Sequence, residues 1–329
     1  MSLYIYNIKN NMNQLIPNWT LESIKTIYTQ PFHDLMYNAH TIHRAHHQPN
    51  HLEVATLLSI KTGACPEDCG YCSQSGLVKT HVEKEKLLSL TQVLQNAKDA
   101  KARGAKRFCM GAAWRLVPDK AMPELKCMIE GVKALGLETC MTLGMLTKQQ
   151  AVELKEAGLD FYNHNIDTSP TYYKKVVTTR TFEARLDTIN HVREAGIQVC
   201  CGGIVGLGET SLDRMEFLLT LANMSPPPES VPINRLIPVK GTRLADTPEV
   251  EGIELVRTIA TARITMPKSM IRLTAGRTEM SDELQALCFF CGANSVFIGD
   301  KLLTEANPKT HKDKNLFKKL GLVAFHDNF

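Results

Sequence analysis

The sequence predicts a (β/α)8 barrel of the TIM type preceded by a short helical segment, and three observations carry that prediction. From about Glu53 onward, short apolar runs alternate with amphipathic helical patterns. Eight such runs fit into roughly 250 residues, which matches a closed barrel better than a doubly wound open sheet. Glycine stands where a helix must end before a strand, at Gly104, Gly136, Gly158 and Gly196.

Residues 1–52 are read as an extension and helices, and 53–329 as the barrel with a C-terminal helix, one domain overall because no linker divides the chain. The stretch from Met1 to Thr20 is Asn-rich and lacks the apolar core of a secretory signal; Met12 is an alternative start. The expected strands are Val54–Lys61, Arg107–Gly111, Leu137–Leu143, Leu159–Asp167, Ile197–Val205, Val231–Val239, Met270–Ala275 and Asn294–Gly299, each short, apolar and turn-bounded. Helical periodicity falls between them, at Thr91–Arg103, Lys148–Ala157, Thr181–Ala195 and Ser211–Ala222. The run Pro226–Pro228 ends the helix before the sixth strand.

Composition narrows the function classes. The 329 residues are 43% hydrophobic and 22% charged, with a net charge of +4 spread over interspersed signs. That pattern predicts neither nucleic-acid nor membrane binding, and no apolar run is long enough to cross a bilayer. A cytoplasmic location is expected. Ten cysteines there need a reason, since a reducing compartment disfavours disulfides. Clustered thiols point to metal or catalysis, and isolated ones to small core residues.

Cys65, Cys69 and Cys72 form a C-x3-C-x2-C motif directly after the first strand, where barrels gather their chemistry. A 4Fe–4S cluster normally takes four cysteines, so three leave one iron open to an exchangeable ligand. Gly70 is expected to relieve the turn. A tetrahedral zinc with a distant fourth ligand is the plainer reading.

The later strands carry polar residues in an alternating register. Cys109 shares parity with Arg107, Cys140 with Glu138 and Thr142, and Asn163 with Asn165 and Asp167. Cys200 takes one face of the fifth strand and Cys201 the other; Asn234 and Arg272 follow on the sixth and seventh. A barrel packed only for stability fills its interior with Val, Ile and Leu. A polar row therefore suggests a bound partner, unless neighbours satisfy each group. Cys109, Cys140 and Cys200 either converge on a second metal centre or are individual core residues.

The triplet with Tyr71 before its last cysteine resembles the radical S-adenosylmethionine superfamily. Thr56–Cys69, Phe108–Trp114, Tyr162–Thr168, Gly202–Thr210, Val231–Asn234 and Ile271–Arg277 resemble the biotin synthase family within it, from about Leu15 to Val323. The resemblance implies a 4Fe–4S cluster on Cys65, Cys69 and Cys72, with Tyr71 beside the adenine of S-adenosylmethionine. It also implies a 2Fe–2S cluster on Cys109, Cys140, Cys200 and Arg272. The arginine rests on resemblance alone, because a guanidinium ordinarily only donates. Asn165 and Asp167 would then touch the cosubstrate ribose, and Asn163 and Asn234 the ureido ring of dethiobiotin. Gly202, Ile204 and Gly206 would form the adenosine-contacting turn, the alternative being a plain strand-to-helix turn. The implied activity is sulfur insertion into dethiobiotin to give biotin. A 5′-deoxyadenosyl radical abstracts hydrogen, the 2Fe–2S cluster gives sulfur, and an electron donor such as a flavodoxin supplies reducing power. A homodimer is implied too. The competing readings are another radical barrel enzyme, or an iron–sulfur electron carrier.

Other tempting groups are read as structural. His40, His43 and His47 share a helix face that is expected to be partly solvated, with His46 and His51 nearby. Cys288 and Cys291 sit in an apolar run and read as packing, Cys127 as a helix residue, and Lys312–Lys319 as a solvated helix.

Overall fold

The computed structural model of the chain describes residues 18–324, so the two candidate start residues and most of the N-terminal extension lie outside the described residues. In chain order the elements are α1 (Leu21–Tyr28), α2 (Phe32–His46), β1 (His51–Lys61), α3 (Leu90–Ala102), β2 (Arg107–Ala112), α4 (Met122–Ala134), β3 (Glu138–Thr142) and α5 (Lys148–Glu156). Then come β4 (Phe161–Asn163), α6 (Tyr173–Val176), α7 (Phe182–Glu194), β5 (Gln198–Cys200), β6 (Gly203–Val205), α8 (Ser211–Ala222), β7 (Ser230–Arg235) and α9 (Gly252–Thr265). The chain continues through β8 (Met270–Leu273), α10 (Asp282–Phe290), β9 (Ser295–Phe297), β10 (Lys301–Leu302), β11 (Glu305–Ala306), α11 (Thr310–Leu320) and β12 (Val323–Ala324).

Eight staves close a parallel barrel, with β5 and β6 sharing one stave and β9 pairing back to β1 through Glu53 opposite Ser295. Helix starts follow their sequence cues: Thr20, Ser89, Thr147 and Thr210 cap α1, α3, α5 and α8 with capping boxes. The main apolar core lies between the strands and the surrounding helices. A second, small cluster of Ala55, Cys109, Cys140 and Phe161, with Leu57 and Phe297 against it, fills the barrel interior.

Most expected strands are shorter than their apolar runs, the sixth ending at Arg235 rather than Val239, and two of the breaks have a visible cause. The fourth ends at Asn163 rather than Asp167, because Asp167 turns left-handed at φ 67 and its carbonyl accepts from the Ile204 amide at 2.8 Å. The fifth is broken between Cys200 and Gly203, where a Cβ on Gly202 would meet the Pro232 carbonyl oxygen at 1.9 Å. Gly202→Ala is therefore expected to lose about 3 kcal/mol or more, because backbone on both sides must move. Chemical denaturation measures it, and an unchanged midpoint would refute the close approach.

The helix over Lys312–Lys319 is not simply solvated. Asp313, Leu316 and Phe317 are buried, and Asp313 is ion-paired with the buried Arg277. The histidine face is partly solvated at His40, His46 and His47, as expected, but not at His43. His43 is buried, His40 stacks on Phe290 at 4.2 Å, and His47 Nε2 accepts from Arg263 Nη1 at 2.7 Å. Burial, then the Arg263 charge, pull the pKa of His43 down to about 3 and that of His47 to about 4. Both folded-state values lie below the unfolded value near 6.5, so the unfolded chain takes up protons first as pH falls. Stability is full above about pH 6.5 and is lost on acidification toward pH 3 to 4. Melting temperatures between pH 7.5 and 5 should fall, and less steeply in His43→Leu; parallel curves would count against this origin. Cys288 and Cys291 are buried, with the Cys291 thiol donating to the Cys288 carbonyl at 3.4 Å, which is packing.

Candidate active site

The cysteine triplet sits on the loop that leaves β1 at the C-terminal mouth of the barrel. Backbone hydrogen bonds shape it: Cys65 N–H donates to the Gln74 carbonyl at 3.0 Å, Gly76 to Cys65 at 2.7 Å and Cys72 to Cys69 at 2.9 Å. The left-handed residues are Gly63 and Ala64, not Gly70. Gly70 is small for another reason: a Cβ there would lie 3.0 Å from Arg243 Nε and 3.3 Å from Leu244 Cγ. Its N–H donates to the Val176 carbonyl at 2.8 Å, and Asp68 accepts from the Thr178 and Thr179 amides at 2.9 and 3.2 Å. The loop is thus tied to the chain after β4. Burial pushes the Cys69 thiol up to about 12 and that of Cys72 to about 11, so free thiols there stay protonated.

Around this loop the structure gathers Tyr71, Asp167 and two arginines. Arg185 donates from Nη2 to Asp167 Oδ2 at 2.5 Å, from Nη1 to the Asn165 carbonyl at 2.7 Å and from Nε to Tyr173 Oη at 2.8 Å. Arg180 is different. Its side chain is 6% exposed, yet Nε and Nη1 have no hydrogen-bond partner, and its charge is felt at Cys65 and Cys69.

Deeper in the barrel, register places Cys109 beside Cys140 and Cys200 beside Asn163. All three cysteines are buried. Burial works against ionisation of Cys109, but a hydrogen bond from Cys140 and the nearby Arg272 and Arg107 charges hold its thiol below the ordinary range. The hydrogen bond to Cys109, then burial, push Cys140 up; burial does the same to Cys200. Arg272 is fully buried over the Phe297 ring and leaves Nη1 without a partner. Arg107 is held alike over Phe161, its Nη1 also unpartnered.

The asparagines are partly committed to their neighbours. Asn163 Nδ2 donates to Thr142 Oγ1 at 3.1 Å while its buried Oδ1 has no partner. Asn165 Oδ1 accepts from the Gly202 amide at 3.1 Å. Asn234 Oδ1 accepts from Thr274 Oγ1 and the Ala275 amide, and Nδ2 donates to the Gly203 carbonyl at 2.9 Å, leaving one N–H. Asp167 does not extend the Asn163–Asn165 row on a strand, because the chain has already turned. The glycines serve chain contacts: Gly202 clears the Pro232 carbonyl, Gly203 the Asp167 carbonyl, and Gly206, at φ 98, donates to Glu209 at 2.9 Å. Ile204 pairs opposite Asn234 and packs on the outer core.

The donor sets suit clusters better than single ions. Among the described residues no three His, Cys, Asp or Glu close on one point as ligands of one ion would. Cysteines that bind different irons of one cluster stand further apart, so both thiol sets are compatible with a cluster. The unpartnered Nη1 of Arg272, whose charge is felt at the buried Cys109 and Cys200, also fits a group held there, since an orphaned buried donor is costly. Sequence reasoning missed Glu53, Arg180 and Arg185. Glu53 fell one residue outside the expected first strand, and the two arginines lie outside any motif that was singled out.

Comparison with known proteins agrees with this geometry. Residues 59–222 match the model of the radical SAM superfamily, and residues 232–323 the biotin and thiamin synthesis associated domain. The chain is 76% identical over 312 residues to biotin synthase of Legionella pneumophila (strain Corby), covering 95% of this chain and 99% of the relative. It is 59% identical to biotin synthase of Thioalkalivibrio sulfidiphilus, over 94% of this chain and 92% of that one. Among solved structures, methylornithine synthase superposes with a TM-score of 0.77 at 17% identity, covering 93% of this chain and 94% of that one. That likeness shows the fold. Among the described residues no helix is long and apolar enough to cross a membrane.

Proposed function

The chain belongs to the biotin synthase family of radical S-adenosylmethionine enzymes, and from that premise we propose how its residues divide the work. The activity is conversion of dethiobiotin to biotin with a 4Fe–4S cluster, a 2Fe–2S cluster and S-adenosylmethionine. When bound, these groups supply the 5′-deoxyadenosyl radical that takes hydrogen from dethiobiotin and the sulfide that replaces it.

Cys65, Cys69 and Cys72 are the protein ligands of the 4Fe–4S cluster, three thiolates leaving one position for the cosubstrate. The backbone frame of their loop holds them in place before any metal arrives. Tyr71 flanks the adenine, with Gly202, Ile204 and Gly206 forming the stave that backs it. Asn165 offers its amide N–H groups to the ribose. Asp167, fixed by Arg185, contributes its second carboxylate oxygen. Cys109, Cys140, Cys200 and Arg272 hold the 2Fe–2S cluster. Asn163 Oδ1 accepts from a ureido N–H of dethiobiotin, and the remaining N–H of Asn234 donates to its carbonyl, a donor–acceptor pair that suits a cyclic urea. The observation that carries this assignment is the unpartnered Arg272 Nη1 among three buried thiols in the barrel interior. The enzyme is cytoplasmic, receives electrons from a flavodoxin-type donor and works as a homodimer, the helices before the barrel and the barrel itself making one domain overall.

Anaerobic protein reconstituted with iron and sulfide, then given dethiobiotin, S-adenosylmethionine and a strong reductant, is expected to form biotin together with 5′-deoxyadenosine, read by mass spectrometry. Neither product from protein holding a reducible 4Fe–4S cluster would overturn the reading.

A further inference from the structure

Below the row of three cysteines lies a charged layer of which the family assignment uses only Arg272. Glu53, on the stave of Ala55 and Leu57, is 4% exposed and pairs across the barrel seam with Ser295. Its Oε1 accepts from Arg272 Nη2 at 2.9 Å and lies 3.4 Å from Arg107 Nη2. Ser295 Oγ takes Arg272 Nε at 2.8 Å, and Glu138 takes Arg107 Nε at 3.0 Å. Lys106 Nζ stands 3.6 Å from the other oxygen, Glu53 Oε2. Each guanidinium rests on a phenyl ring, Arg107 on Phe161 at 3.4 Å and Arg272 on Phe297 at 4.8 Å. In both, Nε and Nη2 are occupied and the buried Nη1 is the atom left free.

One carboxylate oxygen therefore stands between two buried cations. Without it the cations would repel one another in a poorly solvated interior, and Arg272 would lose its Nη2 acceptor, while Arg107 Nη2 would keep only Glu138 Oε2 at 2.9 Å. We propose that Glu53 is a positioning residue for the 2Fe–2S site, holding Arg272 and Arg107 so that their free Nη1 atoms face the three cysteines. Arg272 presents Nη1 as the fourth ligand, and Arg107 presents its own as a hydrogen-bond donor to the thiolate or sulfide charge. The inference rests on the placement of that cluster proposed above. Outer groups that orient metal ligands are worth about 10–100-fold in metal affinity or activity, so the effect is measurable.

The test uses the full chain reconstituted with ⁵⁷Fe, with wild type, Glu53→Ala, Glu53→Gln and Cys109→Ala compared by Mössbauer spectroscopy and by the rate of 2Fe–2S loss to a chelator. Glu53→Ala should lose the 2Fe–2S cluster about 10–100-fold faster, and Glu53→Gln, whose amide oxygen still accepts from Arg272, about threefold faster. Both should shift the 2Fe–2S signature and leave 4Fe–4S retention at the wild-type value, which a general loosening of the fold would not do, although Glu53→Ala also melts lower because two buried cations lose the carboxylate they share. Unchanged 2Fe–2S loss rates and signature in both Glu53 variants would overturn the proposal. If Glu53→Ala does not fold, Glu53→Gln alone decides. Cys109→Ala separates the two levels: if it keeps a normal 2Fe–2S cluster, the placement of the cluster fails, and the role of Glu53 with it.

Discussion

Replacing any one of Cys65, Cys69 or Cys72 by alanine is expected to lower both 5′-deoxyadenosine and biotin formation on the order of 1,000-fold or more, a transition-state loss of about 4 kcal/mol. Each thiolate is one of three protein ligands to a cluster that already keeps one iron open, so the loss of one leaves two irons without a protein ligand. The fold should survive. The loop is built from backbone hydrogen bonds at Cys65, Cys72 and Gly76, and is anchored through Asp68 to Thr178 and Thr179. Because burial pushes Cys69 and Cys72 up to about 12 and about 11, an alanine there removes no buried charge from the metal-free protein. The metal-free variants should melt within a few degrees of the metal-free wild type while carrying no reducible 4Fe–4S cluster. Full deoxyadenosine yield from any of the three, measured by mass spectrometry under saturating reductant, would remove that cysteine from the ligand set.

What the sequence made legible depended on whether the information was local. Strand alternation is local, and it placed Cys200 rather than Cys201 on the inward face because a one-residue step reverses a strand's side. The cysteine spacing is local too, as are the helix caps. The end of the fourth strand was not. Its apolar run continues through Ile166, and only the left-handed turn at Asp167, fixed by the amide of Ile204 on the next stave but far along the chain, cuts it short. The break at Gly202 has the same character, since the carbonyl that occupies its missing Cβ belongs to Pro232. Charge pairing across the barrel was the least visible. Glu53 meets Arg107 from the neighbouring β2, but it meets Arg272 only because β9 closes back onto β1, and Asp313 meets Arg277 only once α11 docks. The burial of His43 was hidden for a related reason: spacing gives the partly solvated face, but the burial comes from α9 and the Arg263 it carries.

The second large effect separates the two thiol sets, because they lie in different compartments of the barrel. Cys109 and Cys140 belong to the small interior cluster with Ala55 and Phe161, whereas the triplet is on a loop at the mouth. Cys109→Ala should therefore leave the 4Fe–4S cluster and deoxyadenosine formation in place while lowering biotin per deoxyadenosine by at least about 100-fold, since the sulfide that must reach the substrate carbon loses its anchor. Cys200→Ala should behave alike. Cys201→Ala, one residue along the same stave, supplies the control. Cys201 is buried in the outer core against the helices, so its truncation makes a small cavity costing about 1 kcal/mol and should not change the product ratio. The measurement is the ratio of biotin to deoxyadenosine in a single turnover, alongside the melting temperature. A fallen ratio in Cys109→Ala and Cys200→Ala with an unchanged one in Cys201→Ala places the sulfur source on the inward face. A wild-type ratio in Cys109→Ala, with its 4Fe–4S cluster intact, means the sulfur comes from elsewhere and the three buried thiols are core after all.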